Sequence, residues 1–188
     1  MYSMSEFYPT SVEDVEEHID YGNGLKKKYS YTDIHGLVSE GVKEIIGSEF
    51  KPDYIVAIGG GGLIPARMLR TYLDVPILVI TVQTYEGDSH TPSSVPKIIQ
   101  TIDADVLKGK TILIVDEVDD TRITLGTVLD ELIYKRRVKD NRVKDWGVFV
   151  VHNKKKCKAF ELDPRALYVA CEDTDGSTWI EYPWDSKL

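Results

Sequence analysis

Apolar residues of this chain fall into short uninterrupted runs and into longer stretches with helical spacing. Residues 112 to 115 are all aliphatic, which predicts a strand that is buried on both faces. After an acidic segment, apolar residues recur at the spacing of one helical face: Leu125, Val128, Leu129, Leu132 and Ile133. This spacing predicts a helix that Thr124 can cap. The sequence therefore places a polar loop between a buried strand and a helix.

The rest of the chain alternates strands and helices in the same way. Apolar spacing predicts a helix over 32–47 with Thr32 as its cap, and a second helix that includes 65–70. Short apolar runs predict strands over 53–58, 77–82 and 146–151, and near 167–171 and 178–182. The alternation indicates an α/β fold with a mostly parallel sheet flanked by helices.

Two polar or weakly patterned segments interrupt this alternation. Residues 83–97 contain Gly, Ser and Pro and predict a long loop, whose length favours a function. Near the N-terminus, Val12, Val15 and Ile19 predict a short acidic helix that the glycines of 22–24 would end.

Size and composition agree with a single domain over residues 1–188. The net charge of −8 and a pI near 5.0 argue against a surface for nucleic acid or for an anionic membrane. The two cysteines, Cys157 and Cys171, are too few for a disulfide scaffold or a cysteine metal cluster. No apolar run has the length of a membrane span, and residues 1–10 lack the profile of a secretory signal. We expect a cytoplasmic protein.

The loop after the 112–115 strand combines acids with threonines: Asp116, Glu117, Asp119, Asp120, Thr121 and Thr124. Backbone N–H groups and hydroxyls at a helix start can hold a phosphate, while carboxylates can hold hydroxyls or a magnesium ion. A ligand with a phosphate beside vicinal hydroxyls would satisfy both. An ordinary solvated turn is the alternative, but it does not require four acids within the five residues 116–120.

This loop resembles the 5-phosphoribosyl-1-pyrophosphate (PRPP) motif of the type I phosphoribosyltransferases, over a match that extends across residues 30–188. The resemblance implies that Asp116 and Glu117 bind the ribose hydroxyls and lie beside Mg²⁺. It assigns the 5-phosphate to the loop formed by Asp120, Thr121, Arg122, Ile123 and Thr124. It also makes Asp120 the catalytic carboxylate, which accepts or hydrogen-bonds the proton on the position-7 nitrogen of a purine. Arg122 and Ile123 stand where many members have Gly and Gly or Lys, a departure that resembles the fungal-type branch.

Four consecutive glycines, residues 59–62, follow the strand predicted over 53–58. They do not form a dinucleotide fingerprint, because residue 64 is Ile and no acid occupies the ribose position. They do allow close backbone approach and expose N–H groups to an anion. In the resembling family this is the pyrophosphate loop, which implies Gly59, Gly60 and Gly61 as ligands and a cis peptide at Gly59–Gly60.

Two further family features have counterparts in this sequence. Relatives carry a basic residue in the pyrophosphate loop. In this chain the first basic residue after the glycine run is Arg67, which is a candidate replacement. Relatives also have a Ser-Tyr pair in a mobile loop that closes over the reaction. The resemblance therefore implies that Thr84 and Tyr85 begin a lid loop and bind PRPP.

The segment Ser177–Asp185 resembles the purine-binding end of hypoxanthine, xanthine and guanine phosphoribosyltransferases. It implies that Trp179 stacks on the base, that Ile180 offers backbone groups to its edge and that Asp185 binds Mg²⁺. Trp184 is expected to pack in the core. Residues 172–188 would form a purine-binding tail, and residues 1–30 an N-terminal extension or part of a small hood.

A basic side chain at the end of the 146–151 strand recognises the 6-oxo group in relatives. Here Lys154 is favoured for this role, and His152 is the alternative. The resemblance as a whole implies a type I phosphoribosyltransferase-like fold with a small C-terminal hood, and a homodimer.

The predicted function is Mg²⁺-dependent purine salvage. The enzyme would transfer phosphoribosyl from PRPP to hypoxanthine, guanine or xanthine, and the sequence does not choose among the three bases. A regulatory protein that senses PRPP and controls RNA or DNA is one alternative, which the acidic net charge disfavours. A phosphoribosyltransferase for another base is the other; it would share residues 112–124 but not the segment from Trp179 to Asp185.

Overall fold

A computed structural model describes residues 19–20, 25–85, 92–135 and 142–186. The predicted N-terminal helix and the glycines of 22–24 lie outside these ranges, apart from Ile19, which belongs to a strand instead of a helix. No helix among the described residues is long and apolar enough to cross a membrane.

Strands and helices alternate along the described chain. The strands are β1 (Ile19–Asp20), β2 (Leu25–Lys28), β3 (Tyr54–Ile58), β4 (Ile77–Tyr85), β5 (Pro92–Gln100), β6 (Thr111–Asp119), β7 (Asp145–Lys155), β8 (Leu167–Asp175) and β9 (Trp179–Glu181). The helices are α1 (Tyr31–Gly47), α2 (Leu63–Leu73), α3 (Ala104–Leu107) and α4 (Ile123–Leu129), which continues as a π-helical turn over Asp130–Tyr134. The predicted α/β architecture is confirmed.

The main sheet has the strand order β5-β4-β3-β6-β7-β8. Its strands pair in parallel except at β5, which is antiparallel to β4. A second, smaller sheet has the order β1-β2-β9, in which the C-terminal strand β9 runs parallel to β2. The strand predicted near 178–182 therefore belongs to this small sheet, hereafter the hood, and not to the main sheet.

Strand β6 is buried on both faces, as its aliphatic run predicts. Leu113 and Val115 pack into the core that lies under α1 and α2, while Ile112 and Ile114 pack into the core that lies under α3 and α4. The strand is longer than the apolar run, because it continues through the acidic residues to Asp119.

Helix α1 shows how local sequence sets an element boundary. Ser30 caps the helix by accepting a hydrogen bond from the N–H of Asp33, and the Asp33 carboxylate accepts one from the Ser30 N–H. The helix therefore starts before Thr32, which is not the cap. Its buried stripe of Ile34, Val38, Val42 and Ile45 covers one face of the main sheet.

The predicted loop over 83–97 is largely a β-hairpin. β4 extends to Tyr85, and β5 runs back beside it from Pro92, with Gln83 opposite Lys97. Residues 86–91 lie outside the described ranges. Because β5 is at the sheet edge, its prolines remove few ladder hydrogen bonds, so the Pro and Ser content that suggested a loop is compatible with a strand.

The order of the strands changes direction between β3 and β6, and the end of the sheet that holds the carboxyl ends of these two strands is hereafter called the crevice. The chain passes from β3 through α2 to β4 on one side, whereas β6 adds to β3 on the other side. The segments that leave β3 and β6 at their carboxyl ends therefore diverge, and this is the position where open parallel sheets bind ligands. The glycine run follows β3 and the acidic loop follows β6.

Candidate active site

The glycine run lies directly against the acidic end of β6. A Cβ atom added to Gly61 would overlap the carboxylate of Glu117, so only glycine permits this approach. Gly60 has a φ of 106°, which L side chains rarely adopt. All peptide bonds of the described residues are trans, so the prediction of a cis peptide at Gly59–Gly60 is wrong. The glycine run nevertheless packs against the acidic end of β6.

The two acids assigned to ribose differ in their surroundings. Asp116 is buried, and burial together with the charge of Glu117 raises the pKa of its carboxyl well above the ordinary range. The N–H of Glu117 donates to the Asp116 carboxylate at 3.0 Å. One carboxylate oxygen of Glu117 is buried and has no hydrogen-bond partner. Buried polar atoms are nearly always paired, so this oxygen indicates a position where a ligand hydroxyl or a cation belongs.

Asp120 sits between two lysines at the mouth of the crevice. Lys156 approaches one carboxylate oxygen to 2.5 Å, and Lys154 approaches the other to 3.4 Å. Partial burial alone would raise the pKa of Asp120, but the two ammonium groups together hold it below its ordinary value. The Asp120 carboxylate is therefore ionised at neutral pH. The sequence identified Lys154, whereas it gave no role to Lys156.

The loop over Asp120–Thr124 turns from β6 into α4. Arg122 adopts a left-handed backbone conformation with a φ of 65°, and α4 begins at the next residue, Ile123. The Arg122 side chain points back to Asp119 and is only 12% exposed. Thr121 and Ile123 are exposed and Thr124 is half-buried. The loop is thus open to a ligand through its backbone, Thr121 and Thr124, and not through the guanidinium.

Trp179 begins the hood strand β9, and Asp185 lies in the turn that follows this strand. Trp179 is 67% exposed at the start of β9, whereas the next residue, Ile180, is buried. Asp185 has a raised pKa, because of partial burial and because the Glu117 carboxylate acts on it. Trp184 stacks on Tyr182 with ring centres 4.7 Å apart, in agreement with its expected packing role.

His152 is enclosed and does not face the crevice. Its side chain is fully buried, its Nδ1 lies 2.8 Å from the Tyr182 hydroxyl and its ring packs 4.4 Å from Tyr29. The Tyr182 hydroxyl donates to the Glu117 carbonyl at 3.0 Å, so it must accept from His152. Burial lowers the pKa of His152 and keeps the ring neutral. This geometry favours Lys154 over His152 as the residue that recognises a base.

Three predicted ligands gain little support from the geometry. Arg67 donates to the Thr71 hydroxyl at 3.1 Å, one turn further along α2 and away from the glycine run. Thr84 and Tyr85 form the end of β4, beside the crevice strand β3. Their roles in a lid and in PRPP binding stay predictions.

The site also contains residues to which the sequence patterns gave no individual role. Asp119, Lys158 and Tyr168 surround the base of the acidic loop, and Tyr182 connects the hood to Glu117. Only the (i, i+3) spacing of Asp119 and Arg122 could have suggested an ion pair on sequence grounds. The other contacts join residues that are far apart in the chain.

The carboxylates of this crevice fit a magnesium ion only in part. Their oxygens are the ligands that Mg²⁺ prefers, and one oxygen of Glu117 has no hydrogen-bond partner in the protein. Among the described residues, however, no group of three or more acidic, His or Cys side chains is arranged to hold a metal ion. A magnesium ion at this site would therefore take most of its ligands from substrate and water.

Comparison with known proteins identifies relatives over most of the chain. Residues 30–187 match the family model described as a phosphoribosyl transferase domain. The chain is 42% identical to hypoxanthine-guanine phosphoribosyltransferase of Schizosaccharomyces pombe over 85% of this chain and 88% of the relative. It is 36% identical to xanthine phosphoribosyltransferase 1 of Saccharomyces cerevisiae over 84% of this chain and 88% of the relative. A solved purine phosphoribosyltransferase from Pyrococcus horikoshii superposes with a TM-score of 0.66 at 30% identity, over 87% of this chain and 95% of that one.

Proposed function

The chain belongs to the phosphoribosyl transferase domain family, and on that premise we propose that it is a purine-salvage enzyme. It transfers the 5-phosphoribosyl group of PRPP to a 6-oxopurine, and it releases pyrophosphate and a purine nucleoside 5-monophosphate. One observation carries the proposal: three segments meet at the crevice. They are the acidic loop after β6, the glycine run after β3, and the residues that follow β9, of which Tyr182 and Asp185 act on Glu117. The names of the relatives, for hypoxanthine-guanine and xanthine, support the class of base.

The sugar and its phosphates are held along the crevice. Asp116 and Glu117 accept hydrogen bonds from the two ribose hydroxyls, and the unpaired Glu117 oxygen gains a partner when the sugar binds. The backbone of Gly59–Gly61 approaches the pyrophosphate, because glycine has no side chain that would keep the anion away from the backbone. The 5-phosphate occupies the loop Asp120–Thr124 at the start of α4.

The purine lies between the hood and the end of β7. The exposed Trp179 ring offers a stacking plane, and the Ile180 backbone faces the exocyclic edge of the base. Lys154 donates to the 6-oxo group. Its ammonium already lies 3.4 Å from Asp120, so one lysine can contact both the base and the carboxylate.

Asp120 is the acid–base group of the transfer. The position-9 nitrogen attacks the anomeric carbon while Asp120 accepts or hydrogen-bonds the position-7 proton. Lys154 and Lys156 keep the carboxylate ionised and fix its direction. Orientation of the two substrates supplies most of the rate enhancement, and no covalent nucleophile is needed.

Four further features belong to the proposal. A magnesium ion bound mainly by substrate oxygens and water, with the carboxylates of Asp116, Glu117 and Asp185 nearby, would neutralise charge on the departing pyrophosphate. Thr84 and Tyr85 belong to a lid that keeps water from the reaction. A homodimer and a cytoplasmic location stay predictions.

Pyrophosphate release from PRPP, measured with magnesium and one base at a time, tests the proposed function. We expect turnover with at least one of hypoxanthine, guanine and xanthine, and none with adenine, orotate or uracil. Turnover only with one of the latter three bases would assign the enzyme to another base. Tight PRPP binding without turnover on any base would favour the regulatory alternative instead.

A further inference from the structure

Arg122 belongs to the loop assigned to the 5-phosphate, yet its side chain is directed away from that loop. Its Nε and Nη2 donate to one oxygen of the Asp119 carboxylate at 2.9 and 2.7 Å. Its Nη1 donates to the Phe160 carbonyl at 3.4 Å. The guanidinium also lies 5.4 Å from the centre of the Tyr168 ring. The guanidinium of Arg122 therefore has its hydrogen-bond partners within the protein.

Asp119 is the centre of this group and cannot touch a ligand itself. Its side chain is fully buried, and the Tyr168 hydroxyl donates to the same carboxylate oxygen at 2.8 Å. An arginine and a carboxylate in this arrangement form strong, charge-assisted hydrogen bonds, and burial protects them from solvent and salt.

The segment 158–160, hereafter the buttress, fastens the same loop from the other side. The Lys158 ammonium donates to the carbonyls of Asp119 and Asp120 at 2.6 and 2.8 Å. The Ala159 N–H donates to the Thr121 carbonyl at 2.9 Å. Each residue from Asp119 to Arg122 thus has a hydrogen bond to the buttress or to the Asp119 carboxylate.

This arrangement coincides with an unfavourable backbone conformation. Arg122 has a φ of 65°, and it is one of only two non-glycine residues with positive φ among those described, the other being Asp74. A left-handed conformation is costly for any residue with a Cβ atom, and it persists only where its surroundings enforce it. The contacts of the guanidinium are surroundings of the kind that can enforce this conformation.

We propose that Arg122, through its ion pair with the buried Asp119 and its contacts with Tyr168 and the buttress, is a positioning residue that sets the phosphate loop in its binding shape. Its guanidinium does not bind the phosphate. The loop binds the phosphate through its backbone N–H groups and its threonine hydroxyls. This inference rests on the proposed function, because it assumes that the loop binds the 5-phosphate of PRPP.

Glycine and alanine at position 122 separate this role from direct phosphate binding. Arg122→Ala removes the guanidinium contacts but keeps the backbone penalty, so the Michaelis constant for PRPP should rise by about 5- to 30-fold. Arg122→Gly removes the same contacts, but glycine adopts a positive φ without a conformational penalty. The Michaelis constant for PRPP should therefore be lower in the glycine variant than in the alanine variant, by about threefold or more. The Michaelis constant for the purine should change by less than about twofold in both variants. Equal losses for glycine and alanine would overturn the inference.

Two milder variants keep the test valid if the alanine protein folds poorly. Asp119→Asn and Tyr168→Phe alter only partners of Arg122 and not Arg122 itself, yet each should raise the Michaelis constant for PRPP by about threefold or more. Unchanged PRPP constants in both would overturn the inference. Asp74→Gly, which relieves the other left-handed residue, and Arg165→Ala, which removes an exposed arginine–aspartate pair, are matched controls that should leave the PRPP constant unchanged.

The wild-type protein distinguishes failure of this inference from failure of the proposed function. If wild type turns over PRPP but glycine does not improve on alanine, only the positioning role is wrong. If wild type does not turn over PRPP, the proposed function fails. In that case, calorimetry of ribose 5-phosphate binding to the same variants still tests the loop, with the same expected order.

Discussion

Removal of the Trp179 ring should weaken purine binding and leave the fold nearly unchanged. The side chain is 67% exposed, so little further apolar surface is exposed to water on unfolding. Surface substitutions of this kind usually change stability by less than about 0.5 kcal/mol. A stacked aromatic pair contributes about 0.5–1.5 kcal/mol beyond its buried area, and each 1.4 kcal/mol is about tenfold in affinity. Trp179→Ala should therefore raise the Michaelis constant for the purine by at least about 2- to 12-fold, with little effect on that for PRPP.

Trp146→Ala is the matched control. Trp146 is a buried tryptophan at the start of β7, at the other end of that strand from Lys154. Truncation of a core tryptophan costs about 3–5 kcal/mol. For a chain of this size that loss lowers Tm by about 6–20 °C, whereas Trp179→Ala should lower it by no more than about 2 °C. Thermal melting and two-substrate kinetics on both variants measure these differences. A large fall in Tm for Trp179→Ala, with an unchanged purine constant in the folded fraction, would refute the stacking role.

Three other variants address the acidic loop. Asp120→Asn should cut turnover by about 10²–10⁴-fold while PRPP affinity stays nearly intact, and parallel losses in both would make Asp120 structural. The double variant Asp116→Asn with Glu117→Gln should weaken PRPP and nucleoside-monophosphate binding in calorimetry, and unchanged affinity would remove the ribose assignment. Lys156→Met should move the acid limb of the kcat profile to higher pH, because loss of that ammonium raises the pKa of Asp120 and protonates it sooner as pH falls. A pH profile identical to wild type would contradict this electrostatic role of Lys156.

The features that the sequence predicts well depend on local pattern. An aliphatic run such as 112–115 has few alternatives to a buried strand, and the periodic apolar residues of 32–47 specify one helical face. The glycine run and the acidic loop could also be placed at one end of the sheet, because each directly follows a predicted strand.

The segment over 83–97 shows where local pattern is insufficient. Its Pro and Ser residues favour a loop by composition, but they lie in an edge strand whose pairing with β4 supplies the hydrogen bonds. Strand pairing of this kind is a tertiary property, which a single segment does not reveal.

The supports of the site are equally non-local. The hydrogen bond from Tyr168 to Asp119 spans 49 positions, and that from Tyr182 to Glu117 spans 65. Nothing in the spacing of these residues predicts the contact. His152 illustrates the consequence, because a histidine at a strand end suggests a ligand until its burial against Tyr29 and Tyr182 is known.

A crystal structure of the protein with a purine nucleoside 5-monophosphate bound tests the central claim most directly. The account predicts the 5-phosphate in the loop Asp120–Thr124, the ribose hydroxyls within hydrogen-bond distance of Asp116 and Glu117, and the base stacked on Trp179 with its 6-oxo group near Lys154. Arg122 should still contact Asp119 in that complex. A nucleotide bound elsewhere, or one whose base does not reach the hood, would contradict the account.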